Sequence, residues 1–355
     1  MNAQQKCGAD AYTSFMKEKN SEFAAAHEKV NTQTKLWIKN NPYKTNNTII
    51  TIPVVVHVVW KTSVQNISYA QIQSQIDVLN EDYGRTNIDQ INTPSIWNSI
   101  AADCEIQFCL AAKDPNGQAT SGIERIQTTH GPFGMNNDIN TASSGGADDW
   151  PNDDYLNIWI CDIQSGLLGF ASSASSWIGN GDGLVIGYKY FGKNGTVQPP
   201  YNKGRTATHE IGHWLNLQHI WGDSNCGDDQ VSDTPVQEME NYSCPSYPLN
   251  SNSCTQNNPH GDMFMNFMDY TNDACMNLFT DGQKSRMIAT INQYRPNMLN
   301  HNLCTPPTNI TEDKANSNNI KKIIDVLGRE RKSSNNQPLL YIYDDGKVEK
   351  RIIIE

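Results

Sequence analysis

Three histidines lie close together in the stretch THEIGHWLNLQHIWGD, residues 208 to 223. His209, His213 and His219 are separated by four and then six residues, although the chain of 355 residues has only 8 histidines. Imidazole nitrogens are good ligands for Zn²⁺, and three of them leave one position of a tetrahedral ion open for chemistry. A structural zinc would favour cysteine ligands and a closed fourth position. The pattern therefore predicts a catalytic zinc site.

The spacing of these histidines also predicts the local backbone. Four residues on an α-helix advance about 40° around the axis and about 6 Å along it, so His209 and His213 project from one face. Six more helical residues would turn His219 about 240° away from His213, so the helix must end between them. Asn216 is placed to end it, because asparagine tolerates the left-handed conformation found at many helix ends.

Glu210 directly follows the first histidine of this motif. Its carboxylate can reach a water molecule at the open position of the ion, where it would be the general base and then carry the proton to a leaving amine. The string H-E-x-x-H arises by chance in roughly one chain in a hundred. A chance match that also includes the third histidine is rarer by more than about tenfold. The alternative is a binding module in which the zinc is only structural.

Composition indicates a globular, acidic chain. Hydrophobic residues make up 37% of it, with 8 Trp and 14 Tyr, which is enough for a packed core. The net charge of −11 disfavours a surface for nucleic acid or for an anionic membrane. The longest apolar run, IPVVVHVVW at residues 52 to 60, is half the length of a membrane helix and is β-branched. It predicts a buried strand and no membrane span.

Nine cysteines indicate export into an oxidising compartment. Four of them lie in a stretch that is too irregular to bury much apolar surface, and sequence alone allows three pairings among them: Cys226, Cys244, Cys254 and Cys275. Cys109 and Cys161 lie in predicted strands, as buried thiols or as a pair, and Cys104 and Cys304 are unassigned. The N-terminal MNAQQKCGAD lacks the apolar segment of a signal peptide, so either a signal has been removed or the protein is cytosolic. The residues AQQ favour removal, since they resemble part of a small-residue cleavage site.

Alternating strand and helix patterns predict an α/β fold from residue 47 to about residue 190. The strand TIITIPVVVHVVW precedes the helix SYAQIQSQIDVLNEDY, and further strands follow in EIQFCLAA, YLNIWIC and DGLVIGYKYF. LLGFASSASSW is an extended segment of small residues that a substrate could pair with as an added strand. After the histidine helix, DGQKSRMIATINQYRPNM predicts a final helix that Pro296 ends.

Composition further divides the chain into four parts. Residues 1–46 are polar, with one helix-like stretch AYTSFMKEKNSEFAAAHEKV, and form a predicted prosegment. Residues 47–304 are the catalytic domain, residues 305–319 are a linker rich in Pro, Asn and Thr, and residues 320–355 are a C-terminal segment.

Several segments resemble one family of zinc peptidases. HEIGHWLNLQH is similar to the extended motif HExxHxxGxxH of the metzincin metallopeptidases, with Asn216 at the usual glycine. IPVVVHVV, FCLAAKDPNG, LNIWIC, LLGFA, VSDTP and NFMDYTNDACMNLFTDGQKSRM resemble the pappalysin family of metzincins, over roughly residues 47 to 300. The resemblance implies a twisted, mainly parallel sheet with a backing helix and an active-site helix above it. It also implies an irregular, disulfide-stapled lower subdomain with a C-terminal helix.

The resemblance also implies roles for individual residues. Met268 would lie in the Met-turn beneath the zinc ligands, and Tyr270 would donate a hydrogen bond to the oxyanion of the tetrahedral intermediate. A preference for Arg or Lys after the scissile bond is attributed in the family to an acidic residue where this chain has Ala274, which predicts at best a weakened preference. Asp273 is one position earlier and could point into the pocket or away from it.

Disulfides and calcium are implied in the same way. The pairings would be Cys226 with Cys254 and Cys244 with Cys275. A calcium site would use oxygen atoms of GDDQVSDTP. Its candidate ligands are Asp233 above all, then Asp228, Asp229 and the Thr234 carbonyl.

The prosegment would hold the enzyme latent through Cys7. A thiolate is a better zinc ligand than water, and Gly8 lets the backbone pass close to the metal. The resemblance supports this role, because some pappalysin-like precursors have a Cys-Gly switch. Asp10 is the alternative ligand, and Cys7 could instead be a lipid-attachment or disulfide residue.

The C-terminal segment KKIIDVLGRERKSSNNQPLLYIYDDGKVEKRIIIE resembles the sorting segments of proteins that Bacteroidetes-like bacteria export through the type IX system. The alternative is a small β-hairpin module that docks on the catalytic domain or binds a surface. Together these observations predict a secreted or cell-surface bacterial zinc endopeptidase that acts on proteins or peptides. The export machinery would be a further partner.

Overall fold

The computed structural model describes residues 7–41, 49–164, 166–174, 181–249, 254, 260–306, 320–325, 328–331, 338–343 and 348–352. The chain forms two compact units, Met1–Pro306 and Pro307–Glu355. Several predicted features lie wholly or partly outside the described residues: the AQQ segment, the end of the prosegment, the end of LLGFASSASSW, most of the linker and parts of the C-terminal segment.

Two helices form the N-terminal part of the first unit. They are α1 (Ala9–Lys19) and α2 (Ser21–Asn40). The sequence predicted a single helical stretch here, but Asn20 interrupts it with extended backbone (φ −139°, ψ 107°). The Asn20 side chain accepts hydrogen bonds from the backbone N–H groups of Glu22 and Phe23, so it caps α2 and starts a second helix.

A six-stranded sheet forms the centre of the first unit and is mainly parallel, as the resemblance implies. Its strands in chain order are β1 (Ile50–Trp60), β2 (Ile106–Leu110), β3 (Ile123–Gln127), β4 (Leu156–Cys161), β5 (Gly169–Ala171) and β6 (Gly183–Gly187). The strand order is β2-β1-β4-β6-β5, and β3 pairs with the second half of β1. Only β5 is antiparallel to its neighbour, and it forms one edge.

Both faces of the sheet are covered, which explains why β1 is apolar along most of its length. On one face, β1 and β4 pack against α3 (Tyr69–Tyr83), α4 (Arg205–Trp214) and α5 (Asp281–Tyr294). Apolar side chains of α1 and α2 pack with the other face. His57 is buried in β1, 2.7 Å from a Glu124 carboxylate oxygen and 3.0 Å from Asn157 Oδ1. Both ring nitrogens have partners, so His57 is a satisfied core histidine.

Three disulfides connect the first unit. Two of them, Cys226–Cys254 and Cys244–Cys275, are the pairs that the resemblance implies. Cys109 pairs with Cys304, so a Cys109–Cys161 bond is wrong. Cys109 is in β2 and Cys161 is in β4, on opposite sides of β1. Two strand spacings of about 4.8 Å are too wide for a disulfide. Cys7, Cys104 and Cys161 are buried free thiols.

The second unit is a three-stranded antiparallel sheet. It consists of β7 (Ile320–Asp325), β8 (Pro338–Tyr343) and β9 (Val348–Ile352), in that order. Leu339, Tyr341 and Ile323 form its small apolar cluster. The predicted hairpin is therefore extended by one strand. Among the helices that the structure describes, none is long and apolar enough to cross a membrane.

Candidate active site

A reversal of the backbone at Asn216 brings the third histidine back to the first two. Helix α4 ends at Trp214, and Asn216 has the left-handed conformation (φ 70°). The Leu217 N–H then donates to the Gly212 carbonyl at 2.8 Å, which closes the turn. The predicted end of the helix at this asparagine is confirmed.

The three imidazoles form a pocket of nitrogen lone pairs. His213 Nε2 is 3.1 Å from Nε2 of both His209 and His219, and all three rings are buried. Each Nδ1 faces an acceptor: the Phe267 carbonyl at 2.7 Å, the Leu217 carbonyl at 2.9 Å and the Asp223 carboxylate at 2.5 Å. These acceptors assign the ring proton to Nδ1 and leave Nε2 free to bind a metal.

The geometry fits zinc. Bonds of about 2.1 Å at tetrahedral angles place neighbouring nitrogens about 3.4 Å apart. Three buried lone pairs that face one another are otherwise poorly satisfied. Metal-binding histidines usually donate their Nδ1 proton to a carbonyl or carboxylate, as these three do. Asp223 was not singled out in the sequence, although its position four residues after His219 was a usable signal.

Cys7 faces the same point from the prosegment. Its Sγ and one ring nitrogen from each of the three histidines all lie within 4.8 Å of one another. The thiol also donates to Glu210 Oε2 at 3.4 Å. Burial and the Glu210 charge raise the pKa of the thiol, whereas a bound cation would favour the thiolate.

The neighbours of Cys7 explain its close approach. Cys7 forms a parallel bridge with Gly169, and the Gly8 N–H donates to the Gly169 carbonyl at 2.9 Å. A Cβ atom on Gly8 would lie 2.9 Å from Met135 Sδ and 3.2 Å from Phe170 Cβ. The prosegment therefore lies against the edge strand β5, and a side chain at Gly8 would crowd it.

The structure places Asp10 on the other side of His219. Its carboxylate is 3.2 Å from Nδ1 of His219, whereas Nε2 of that ring faces the other histidines. The carboxylates of Asp10 and Asp223 thus both contact Nδ1 of His219. Cys7, and not Asp10, belongs to the cluster that contains all three histidines.

Glu210, Met268 and Tyr270 surround the histidines. Burial is the main reason why the pKa of Glu210 rises to about 8. Met268 packs beneath α4, where its sulfur would be 2.4 Å from a Cβ atom on Gly212. The Tyr270 ring centroid is 4.9 Å from that of His219.

A cavity opens beside Glu210. Its lining includes Cys7, Tyr201, Thr206, Tyr270, Asp273 and Met276. Asp273 Oδ2 accepts from the backbone N–H groups of Lys203 and Arg205, at 2.8 Å and 3.3 Å. Ala274 is exposed and does not line the cavity.

Arg205 forms part of the cavity wall and was not predicted from the sequence. It is buried, with Nε 2.8 Å from Asp82 and Nη1 3.1 Å from Asp89. It also donates to the Met276 carbonyl at 2.5 Å. Its two carboxylate partners lie far from it in sequence, so no local pattern marks it.

The predicted calcium ligands have other partners. Asp233 accepts from Thr280 Oγ1 at 2.7 Å and from the Gly282 N–H at 2.8 Å, at the start of α5. Asp229 accepts from Thr234 Oγ1. Within the described part of the chain, none of these carboxylates belongs to a cluster of three or more metal-ligating side chains. Calcium stays a prediction of the resemblance.

Comparisons with known proteins identify the family. Residues 140–292 match the peptidase M43 family model, described as pregnancy-associated plasma protein-A. A promirolysin mutant from Tannerella forsythia is 44% identical, with a TM-score of 0.76, and the match covers 83% of this chain and 97% of that one. Mature mirolysin from Tannerella forsythia, in complex with a cleaved peptide, is 48% identical, with a TM-score of 0.67, over 72% of this chain and 100% of that one.

A curated relative agrees with these structures. An extracellular metalloprotease of Pyricularia oryzae is 31% identical over 267 residues, which are 72% of this chain and 80% of the relative. The fold, the three converging histidines and these matches together lead to one conclusion. The chain belongs to the peptidase M43 family of pappalysin-like metzincins and is a metalloprotease.

Proposed function

We propose that the chain is a secreted zinc endopeptidase, made as a latent zymogen, in which Glu210 is the general base and Tyr270 stabilises the oxyanion. The main support is the convergence of Cys7 and three histidines on one point, with the Glu210 carboxylate beside it. Relatives described as extracellular metalloproteases support secretion. The promirolysin match covers 83% of this chain, more than the 72% of mature mirolysin, which supports a prosegment.

The catalytic roles follow from chemistry and position. Zn²⁺ on the three imidazoles would lower the pKa of water and polarise the scissile carbonyl. Glu210 is buried beside the histidines, where its carboxylate can take a proton from water and pass it to the leaving amine. The Tyr270 hydroxyl is a donor beside the histidines, and such a donor typically contributes about 3 kcal/mol to transition-state stabilisation.

The substrate would bind as an added strand along β5. The Gly169 carbonyl accepts a backbone hydrogen bond from Gly8 of the prosegment, so this edge can pair with an extended chain. Leu168, directly before β5, lines the cavity beside Glu210. This cavity would receive the side chain that follows the scissile bond. The prosegment blocks both, because Cys7 lines that cavity and bridges to Gly169.

The division of the chain is part of the proposal. Residues 1–46 would be the prosegment, 47–304 the peptidase domain, 305–319 a linker and 320–355 a sorting segment. The boundary between the two compact units, after Pro306, lies within the proposed linker. The basic side chains Arg329 and Arg331 pair with Asp325 inside the second unit. Recognition by a bacterial export machinery rests on the resemblance of this segment.

Digestion of casein or gelatin separates this proposal from an inert binding module. The chain freed of its prosegment should degrade casein, 1,10-phenanthroline should abolish the cleavage, and added Zn²⁺ should restore it. Zinc-loaded, prosegment-free protein that leaves both substrates intact would support the binding module instead.

The cavity beside Glu210 predicts a relaxed specificity. Asp273 is engaged by two backbone N–H groups, and Ala274 offers no charge, so Arg or Lys after the scissile bond should be favoured by at most about threefold over Leu or Met. Peptide-library profiling of the mature enzyme measures this ratio.

The matched variant for this prediction is Ala274→Asp. It should raise the preference for Arg by no more than about threefold, since residue 274 is exposed beside the cavity and a carboxylate there would pair with the guanidinium in solvent. Strong Arg selection by the parent enzyme would show that Ala274 does not relax the pocket.

A further inference from the structure

Asn216 has a side chain where the metzincin motif has glycine. Its backbone is left-handed (φ 70°), a conformation that glycine adopts at no steric cost. The turn that positions His219 therefore does not require asparagine. The side chain has a partner of its own: Asn216 Nδ2 donates to Thr34 Oγ1 at 3.2 Å, and Thr34 is a fully buried residue of α2.

Helix α5 contributes to the same contact. Arg286 donates through Nε to the Asn216 carbonyl at 2.5 Å and through Nη2 to Asn31 Oδ1 of α2. Farther along α5, the Tyr294 hydroxyl donates to Gln33 Oε1 at 2.6 Å. We call Asn216, Arg286 and Tyr294 the α2 dock.

The dock is separate from the contacts that Cys7 makes. It receives polar side chains from the middle of α2, and Arg286 is buried there with 1% of its surface exposed. Asn31 and Thr34 are three residues apart, so both lie on the helix face that meets the dock. Trp37, one turn further on in α2, packs against the apolar cluster that the sheet forms with α3, α4 and α5.

We propose that the α2 dock is a second binding surface for the prosegment, and that Asn216 replaces glycine in the zinc motif because its side chain binds α2. The inference rests on the proposed role of residues 1–46 as a prosegment. It adds a binding site for α2 that is distinct from the pairing of Cys7 with Gly169. Asn216, which turns the backbone toward His219, therefore also binds helix α2 of the proposed prosegment.

The test uses the full chain with Glu210→Ala, which keeps the prosegment attached, and hydrogen–deuterium exchange read by mass spectrometry. Asn216→Gly should preserve the turn and speed the exchange of α2 amides about tenfold, while α4 amides keep their rates and the zinc content stays near one per chain. Thr34→Val removes the acceptor without changing the shape and should have the same effect. The double variant should exchange no faster than either single variant, because both remove one interaction.

Thr32→Val is the matched control, since Thr32 is an exposed residue of the same helix. Its α2 amides should exchange at the parent rate. Unchanged α2 exchange in Asn216→Gly would overturn the proposal, and so would equal acceleration of α2 and α4, because the effect would then be global. Since the readout does not use catalysis, this result is independent of whether the chain is a peptidase.

Discussion

Replacing Glu210 with alanine is expected to lower peptide hydrolysis by the mature enzyme about 10²- to 10⁴-fold, which is the usual contribution of a general base. The zinc content should stay near one per chain. Glu210 is adjacent in sequence to His209, yet its carboxylate is absent from the cluster of converging ligand atoms that the described residues form. It is instead within 3.4 Å of the Cys7 sulfur, on the side where a reacting water would lie.

The measurement pairs kcat/KM on a short fluorogenic peptide with zinc determined by mass spectrometry. His213→Ala is the control, and it should lose both zinc and activity, because it removes one of three imidazole ligands. A Glu210→Ala enzyme that cleaves casein at the parent rate would show that the base is elsewhere.

Replacing Cys7 with alanine should make the intact chain active. In the parent zymogen, the sulfur faces the three histidines and the prosegment backbone pairs with β5. Without the thiolate, water can enter the fourth position, and a short peptide should be cleaved from the start of the assay. The initial rate, measured while gels still show an uncut chain, should exceed the parent rate by about tenfold or more.

Two variants make this result specific. Cys104→Ala removes another buried free thiol, which lies in the apolar cluster between the sheet and α3, α4 and α5. The Cys104→Ala protein should stay latent. Asp10→Asn tests the alternative carboxylate, which contacts Nδ1 of His219. If Cys7→Ala shows the same lag as the parent while Asp10→Asn is active at once, the latency residue is Asp10.

The sequence was most informative where one physical constraint acts on neighbouring residues. The offsets of four and six in the histidine motif are enough to predict a helix, a left-handed turn at Asn216 and a third ligand, and the turn is present. The apolar run of β1 predicted a strand covered on both faces, because β-branched residues without alternation suit a buried parallel strand.

The parts that were missed depend on contacts between distant segments. Cys109 and Cys304 are separated by 195 residues, and neither has a local pattern that names its partner. Strand β3 has the sequence IERIQ, whose residues are half-buried or exposed and do not alternate regularly, so only its pairing with β1 makes it a strand. The break between α1 and α2 depends on a single capping side chain, Asn20.

The most direct measurement is X-ray absorption at the zinc edge on the full chain carrying Glu210→Ala. Three nitrogens and one sulfur, with a Zn–S distance of about 2.3 Å, are expected in this protein. Adding Cys7→Ala should convert the shell to nitrogen and oxygen only. A shell without sulfur in the Glu210→Ala chain would contradict a zymogen closed by Cys7, even if the mature protein is a zinc peptidase.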